Sequence, residues 1–546
     1  MNSSPLDAIL QGWKLLPMRK WILWTLAGLV ILCAAGVVAL YLSAPRLKAL
    51  ARERGQLYLK AHLKSSVEFS DFDVSFYPRV RVTIDGLVLR HEGRTDIPPL
   101  IEIRRATFDA GIRSLFGHRH EISRVRLDGL QIHTPPHQPG GPPMIHGTDQ
   151  DLNSKYPIKI DEIDANDALL VILRKPQDAG KPPNEFAIHK LAMYGFTFNN
   201  AASFDAYLTN PKPRGEIHCI GQFGPWQADD PSETPVYAKY TFDNADMSTL
   251  KGLHGTLSST GRFGGPLDYL SVEGVTDIPD FALRTSTNPQ PLHTDFTAIV
   301  DGTNGDVVLK KVTARLHNTT IVTRGEVVDV HPLVKGRTIA LDATSNNGHI
   351  EDLLLLAVKT DKPVMTGLVN LKAKILIPER DEDLIDRLIL DGQFGINHIQ
   401  FTNPNIQGKV DSLSRRGQGH PKEELSNALS ELTGQFKERN AMITFSSLSY
   451  GVEGASIALA GTYDMNKGNL DFKGKLNLDA KLSQTVTGVK SFLLKPVDPF
   501  FRGKNGGTEI PIKIGGTKDH PAFGPDFHDK ANKRGATVGA NVGANR

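Results

Sequence analysis

Cysteine is almost missing from this chain: Cys33 and Cys219 are the two present among 546 residues. So distant a pair, with one member inside an apolar run, provides no disulfide framework and leaves the redox compartment unreadable. Aromatic residues are sparse at 7%, while Gly, Asn, Asp and Thr recur as many short strands with tight turns require. Neither sign of charge dominates, since 63 Lys and Arg face 60 Asp and Glu for a net charge of +3. A dedicated nucleic-acid binder carries a concentrated basic face, so nucleic acid is not expected as a partner. Beyond residue 42 no second long apolar run follows.

Catalytic signatures are missing too: no nucleophile elbow, HExxH, GxxxxGK[ST] or CxxC occurs. His118 and His120 beside Glu121 sit in a basic turn, and alternate residues of a strand do not make a ligand set. His133 and His137 flank prolines and read as solvent-exposed. The acidic run Glu379 to Asp383 lacks the spaced oxygen ligands and turn glycine of a calcium loop. The chain therefore reads as a non-enzyme, with no catalytic residue, no metal and no cofactor assigned.

What is present starts with WILWTLAGLVILCAAGVVALYL, Trp21 to Leu42, which holds no charge. At about 1.5 Å of rise per residue it crosses a hydrocarbon core of roughly 30 Å. Leu29, Ile31 and Val38 favour its interior, and Trp21, Trp24 and Tyr41 put amphipathic rings at its ends. It is longer than the apolar core of a cleaved signal, roughly 7–15 residues. Leu32 precedes Cys33 where a lipoprotein signal needs a small residue. The reading is an uncleaved, single-pass anchor. Lys14, Arg19 and Lys20 precede it and Arg46, Lys48, Arg52, Arg54 and Lys60 follow it, so charge leaves the orientation open. Ala44 to Lys64 reads as a basic helix that caps the next sheet or lies on the membrane.

From Val67 the period changes to two. Val80, Val82 and Ile84 alternate with Arg79, Arg81 and Thr83, the phase shifts across Asp85-Gly86, and Leu87 and Leu89 carry on. Val125, Leu127, Asp128-Gly129, Leu130 and Ile132 repeat the figure, and a looser copy runs through Ile163 to Ile172. This predicts an array of similar strand units with glycine at a bulge or bend. Ile112 to Phe116 reads as a short helical piece, Gly348 to Val358 as a helix, and Arg415 to Glu431 as a polar loop with a helix. Near the end Leu470, Phe472, Leu476, Leu478, Ala480 and Leu482 share one parity, and Asp471, Lys473, Lys475 and Asn477 the other. That is a strand with one dry and one wet face, paired through Asn466–Asn469 with the alternating stretch Ala455 to Met465. Glu509 to Ile514 reads as the last strand.

The expected organisation is a 1–20 tail, the 21–42 transmembrane helix, a 43–134 β domain with its capping helix, a 135–149 Pro/Gly linker, a 150–346 β-repeat region, a 347–523 β domain and a 524–546 tail. Alternation is compatible with a closed β-sandwich. It is equally compatible with one long bent sheet whose dry face lines a groove. Such a groove shelters acyl chains, each CH2 removed from water contributing roughly 0.8 kcal/mol.

The anchor, the basic helix, VEFSDFDVSFYPRVRVTIDGLVL and PPLIEIRRATFDAGIRSLFGHRHEISRVRLDGLQI resemble the start of the bacterial AsmA-like proteins. GQFGPW, TPVYAKYTFDNADMSTLKGLHGTLSSTGRFGG and VEGVTDIPDFAL look like middle parts of that family. LAGTYDMNKGNLDFKGKLNLDAKLSQTVTG, LLKPVDPFF and IPIKIGGTKDHPAFGPD are similar to its C-terminal domain. The resemblance implies a mainly β protein: one N-terminal transmembrane helix in the inner membrane, residues 1–20 cytoplasmic, then a periplasmic, strongly bent, antiparallel-rich sheet with a few short helices and an apolar groove. It implies phospholipid as the ligand, moved between membranes, and an outer-membrane or periplasmic partner protein. The alternative is a scaffold for outer-membrane protein assembly that conducts no lipid. The groove is expected to be lined by Val80, Val82, Ile84, Val125 and Leu127 near the membrane and by Leu470, Phe472, Leu476 and Leu478 far from it.

Overall fold

The computed structural model describes residues 66–526, apart from 91–94, 112–119, 135–157, 173–183, 331–335, 488–494 and a few shorter stretches. The expected anchor (Trp21, Trp24, Leu29, Ile31, Val38, Tyr41), the helix after it, the 112–116 piece, the 135–149 linker and His118 and His137 lie outside the described residues. Among the described residues no helix is long and apolar enough to cross a membrane.

The chain is mainly β. Twenty-five strands join in one long, open, mixed sheet, with each strand pairing mostly with its neighbours in sequence. β1 (Ser66–Glu68) and β2 (Asp71–Ser75) both pair with β3 (Val80–Arg90), and the order then runs through β4 (Ile101–Ala110) to β5 (His120–Thr134). β5 and β6 (Ile158–Ile172) run parallel. A hairpin cannot make that pairing; it needs a longer return of the chain, and residues 135–157 lie between them. From β6 onward every pair is antiparallel: β7 (Asn184–Phe196), β8 (Ala202–Pro211), β9 (Arg214–Phe223) and β10 (Pro235–Asp246). β10 pairs with β12 (Thr256–Pro266), and the short β11 (Leu253–His254) pairs with the far end of β13 (Leu270–Leu283). β14 (Gln290–Val300), β15 (Val307–Leu316), β16 (Thr319–Val328), β17 (Thr338–His349), β18 (Met365–Ile377) and β19 (Ile389–Phe401) follow. β20 (Ser430–Arg439), β21 (Met442–Val452), β22 (Ala455–Asp464), β23 (Leu470–Leu478), β24 (Thr508–Gly516) and the edge strand β25 (Pro521–Pro525) complete the sheet.

Local chemistry explains the turns and bends. Asn440 and Ala441 both take positive φ between β20 and β21, the geometry of the tight hairpin turn that matches strand twist. Asp464 accepts from the backbone N–H of Asn466 and Lys467 and so closes the β22–β23 turn. The repeated Asp-Gly pair is a kink. Gly86 and Gly129 have φ of 62° and 65°, and Arg104 of β4 lies opposite both, since Asp85 and Leu87, like Asp128 and Leu130, pair with Arg105 and Ile103. In β6 the same step is made by Asp167, φ 53°, where Asn166 pairs with Asp128. Similar left-handed residues, Asn244, Asn347 and His398, sit at register shifts in β10, β17 and β19. Each shift bends its strand and increases local twist.

The described α-helices are α1 (Ile350–Ala357), the single turn α2 (Leu384–Arg387) and α3 (Pro404–Gly417). α1 falls inside the predicted 348–358 segment. α3 corrects the expectation for Arg415 to Glu431: the helix lies earlier, and most of that stretch is turn and loop. Asn403 caps it by accepting from the Asn405 N–H at 2.9 Å, with Pro404 in its first turn. A second correction concerns β23, which stops at Leu478. Asp479 N–H and Ala480 N–H turn away to donate to Gly454 and Gly417 carbonyls, and Leu482 begins a 3-10 turn. β25 was not expected at all.

Candidate dry-face site

Register links one row of side chains across every strand except β1 and β11. It begins Phe72, Ile84, Ala106, Leu127, Ala165 and Leu191. Ala206, Cys219, Tyr240, Gly261, Gly274 and Phe296 continue it. Val312, Thr323, Ala343, Ala373 and Gly392 carry it to β19. It ends Phe436, Phe445, Gly461, Phe472, Ile514 and Phe523. No member carries a charge. Glycine opposite a large ring keeps the row level: a Cβ on Gly274 would stand 2.6 Å from the Tyr240 hydroxyl and 3.1 Å from Phe296. The Cys219 thiol is buried in this row, and desolvation pushes it up to about 11, which leaves it neutral and unreactive.

The nine expected lining residues all fall on this face. Ile84, Leu127 and Phe472 belong to the row itself, and Val82 and Val125 share the adjacent one through Phe108. Their burial divides them. Val80, Ile84 and Val125 are buried, and Val82, Leu127, Leu470 and Leu476 are half-buried. Ile84 belongs to a cluster with Ile103, Ala106, Leu130, Ala165 and Ala168, against which Ile188 and Leu191 also pack. Phe472 is buried beside Phe445, ring centroids 5.8 Å apart. Leu478 lies beneath α3, packed with Val410, Val452 and Ala455. Sequence reasoning did not anticipate that cover.

The helices provide an internal control on how this face is covered. Under α1, Val369, Ile396 and Ile399 fall to 2%, 4% and 1% exposure. Away from the helices, Phe263, Phe296, Phe436 and Phe445 on the same face stay half-buried. At the edge, Phe523 is 73% exposed. A helix brings burial to a few per cent, and at Phe472 and Ile84 neighbouring strands alone bring it to 7% and 6%.

The opposite face is a ladder of cross-strand ion pairs. Arg105–Asp85 and Arg81–Asp109 both close at 2.6 Å, with Arg124–Glu162 and Arg262–Glu273 beside them. Arg315–Asp295, Lys475–Glu509 and Lys437–Asp391 extend it. The Arg105 guanidinium holds the Asp85 carboxyl below its usual range, and Arg81 does the same for Asp109. A hollow of about 700 Å³ on this face is walled by Lys239, Arg262, Glu273 and Asp295. Apart from the buried Asp109 carboxylate, these pairs are solvent-exposed and add little stability each; they lie on the face opposite the uncharged row.

One acid breaks the rule. Glu438 lies on the dry face opposite Leu390 and Ile443 and is 2% exposed. Its Oε1 accepts from the Ala441 N–H at 2.9 Å, holding the β20–β21 turn, and Oε2 has no partner. Burial pushes this carboxyl above the ordinary range.

Long-range contacts tie β13 to α1 and α2. Arg284 reaches Asp386 at 3.1 Å and Asp383 at 3.3 Å, and Ser286 Oγ donates to the Leu356 carbonyl at 2.8 Å. Asp352 at the start of α1 accepts from Asn318 N–H and the Thr319 hydroxyl. Among the described residues no group of His, Cys, Asp and Glu has the arrangement to hold a metal ion. Comparison with family models, curated proteins and solved structures finds no match to this chain.

Proposed function

We propose that this is a membrane-anchored periplasmic protein that shelters the acyl chains of phospholipid along its dry face, for transfer from inner to outer membrane and for envelope maintenance. In this reading the sheet curls about its dry face into a trough. Tails lie on the uncharged row while headgroups stay in water at the mouth, and no catalytic group or cofactor takes part. The observation that carries the reading is that row, uncharged from Phe72 to Phe523, in which Phe296, Phe436 and Phe445 stay half-buried while Ile84 and Phe472 are buried among neighbouring strands.

Two further observations support a curl. Left-handed residues recur at register shifts along the sheet. The connections at the two ends of β18 also both reach the segment Arg284 to Ser286. A straight strand of 13 residues would hold those ends about 40 Å apart. At about 4.8 Å per strand the row is on the order of 110 Å long, less than a typical periplasm, so an outer-membrane or periplasmic partner completes the path. The anchor and its orientation, with residues 1–20 cytoplasmic, rest on Trp21 to Leu42 and on the AsmA-like resemblance.

The test is site-specific photo-crosslinking in the full chain in its own membrane. Probes at Phe296 and Phe436 on the dry face are expected to capture phospholipid, and probes at Thr297 and Gln435 on the wet face are not. Protein adducts alone at all four positions would replace this reading with a scaffold for outer-membrane protein assembly.

A further inference from the structure

The segment between β10 and β14 does more than connect strands. After β10 the chain makes a 3-10 turn, Met247–Thr249, capped by Asp246, and then forms β11 against Leu283 and Ala282 of β13. Arg284 N–H donates to the Gly252 carbonyl, so the two passes form one small ribbon. Its tip touches two places that are far apart along the chain. Ser286 bonds the last turn of α1, which follows β17, and Arg284 pairs with Asp383 and Asp386 around α2, which follows β18. α1 and α2 lead from opposite ends of β18. If the dry face forms a trough, those are its two rims, and the ribbon crosses from one to the other.

We propose that this ribbon is a releasable strap over the middle of the trough, which an acyl chain must displace on its way from the β3–β12 half to the β14–β25 half. The proposal rests on the lipid reading above. The quality of the contacts favours release. α1 is set firmly on Val369, Ile396 and Ile399, so it is the fixed side. The strap's polar ties to the two rims include the neutral Ser286 hydrogen bond and Arg284, 45% exposed, which meets Asp386, 41% exposed, through both terminal nitrogens and also reaches the less exposed Asp383. Pairs this wet exchange readily with water and salt. Gly252 takes φ 90°, and a Cβ there would stand 2.6 Å from Asp383, so the ribbon seats against the α2 rim only because this position is glycine.

The test uses the full membrane-bound chain with Cys33 and Cys219 replaced by Ser and with R284C and D386C, joined or left unjoined by a bis-maleimide. Photo-crosslinking probes stand at Phe204 on one side of the strap and at Phe445 on the other. With the strap joined, lipid capture at Phe204 is expected to persist while capture at Phe445 falls at least tenfold, and the unjoined protein is expected to show capture at both. Equal capture at both positions in the joined protein overturns the strap and leaves the lipid reading standing. Absence of lipid at both positions in the unjoined protein overturns the lipid reading and the strap with it. A second measurement needs no lipid: spin labels at N288C and A357C, which leave Ser286 and Arg284 in place, are expected to give one short distance in the parent and an added long population in R284A. One unchanged short distance in R284A overturns release.

Discussion

Replacing Gly86 with Ala tests a bend on which the proposed trough depends. The residue is held at φ 62°, a region that costs an L-residue about 1–2 kcal/mol. The new methyl would also stand 2.6 Å from Ser70 Oγ. That hydroxyl donates to the Asp85 carbonyl at 2.8 Å, a bond worth about 1 kcal/mol that must break to make room. The sum is a local loss of about 2–3 kcal/mol in β2 to β4. Native-state hydrogen exchange is the suitable assay, because stacked strands open locally rather than all at once. In an S70A background the hydroxyl is gone and the Cβ of residue 70 remains at 3.3 Å, so the same substitution is expected to cost little more than the backbone part, about 1–2 kcal/mol. Gly129→Ala brings its methyl to 3.1 Å from the Arg104 Cβ, which is fixed to the backbone, and is expected to cost at least that smaller figure. An effect below about 0.5 kcal/mol for Gly86→Ala, or an equal cost with and without Ser70, would refute the reasoning.

Three further outcomes follow from the same contacts. Phe472→Ala, at a buried ring, is expected to lower the local opening energy by about 3–5 kcal/mol, and Phe296→Ala by roughly half that, since no cavity closes over it; equal losses would mean a covered face. Glu438→Gln is expected to gain stability relative to the parent as pH rises. The native carboxyl sits above its ordinary value of 4.5, so the stability that this one group contributes is fully present below that value and is lost as pH climbs through the native pKa. Urea midpoints at pH 4 and pH 8 read the widening gap, and a constant gap contradicts it. Asn403→Ala removes the cap of α3 and is expected to cost about 1 kcal/mol, seen as faster exchange of the amides of Ile406 and Gln407.

The β architecture was legible wherever one face is wet. Leu470 to Leu478 alternates with Asp471, Lys473 and Lys475, and the burial follows that parity. The Asp-Gly repeat was legible because only a few residue types tolerate positive φ. α3 was misplaced for a physical reason: its buried face is Gln407, Val410, Asp411, Ser414 and Gly417, held by hydrogen bonds such as Asp411 accepting from Ala428 N–H. Such a face has no apolar period to read, and Asn403-Pro404 was the signal available. The cover over Leu478 and the meeting of Arg284 with Asp386 join residues far apart in sequence, which no local pattern encodes. The continuous row emerges only from register, because one slipped pair would have put charge into it.

The central claim is that the dry face is an open apolar trough holding lipid tails. The measurement that tests it most directly is native mass spectrometry of the full chain released from detergent, counting bound phospholipid. The account predicts several phospholipids per chain, lost when Phe296 and Phe436 are both changed to Glu while the strands remain protected from exchange. A folded wild-type chain that carries none would contradict it.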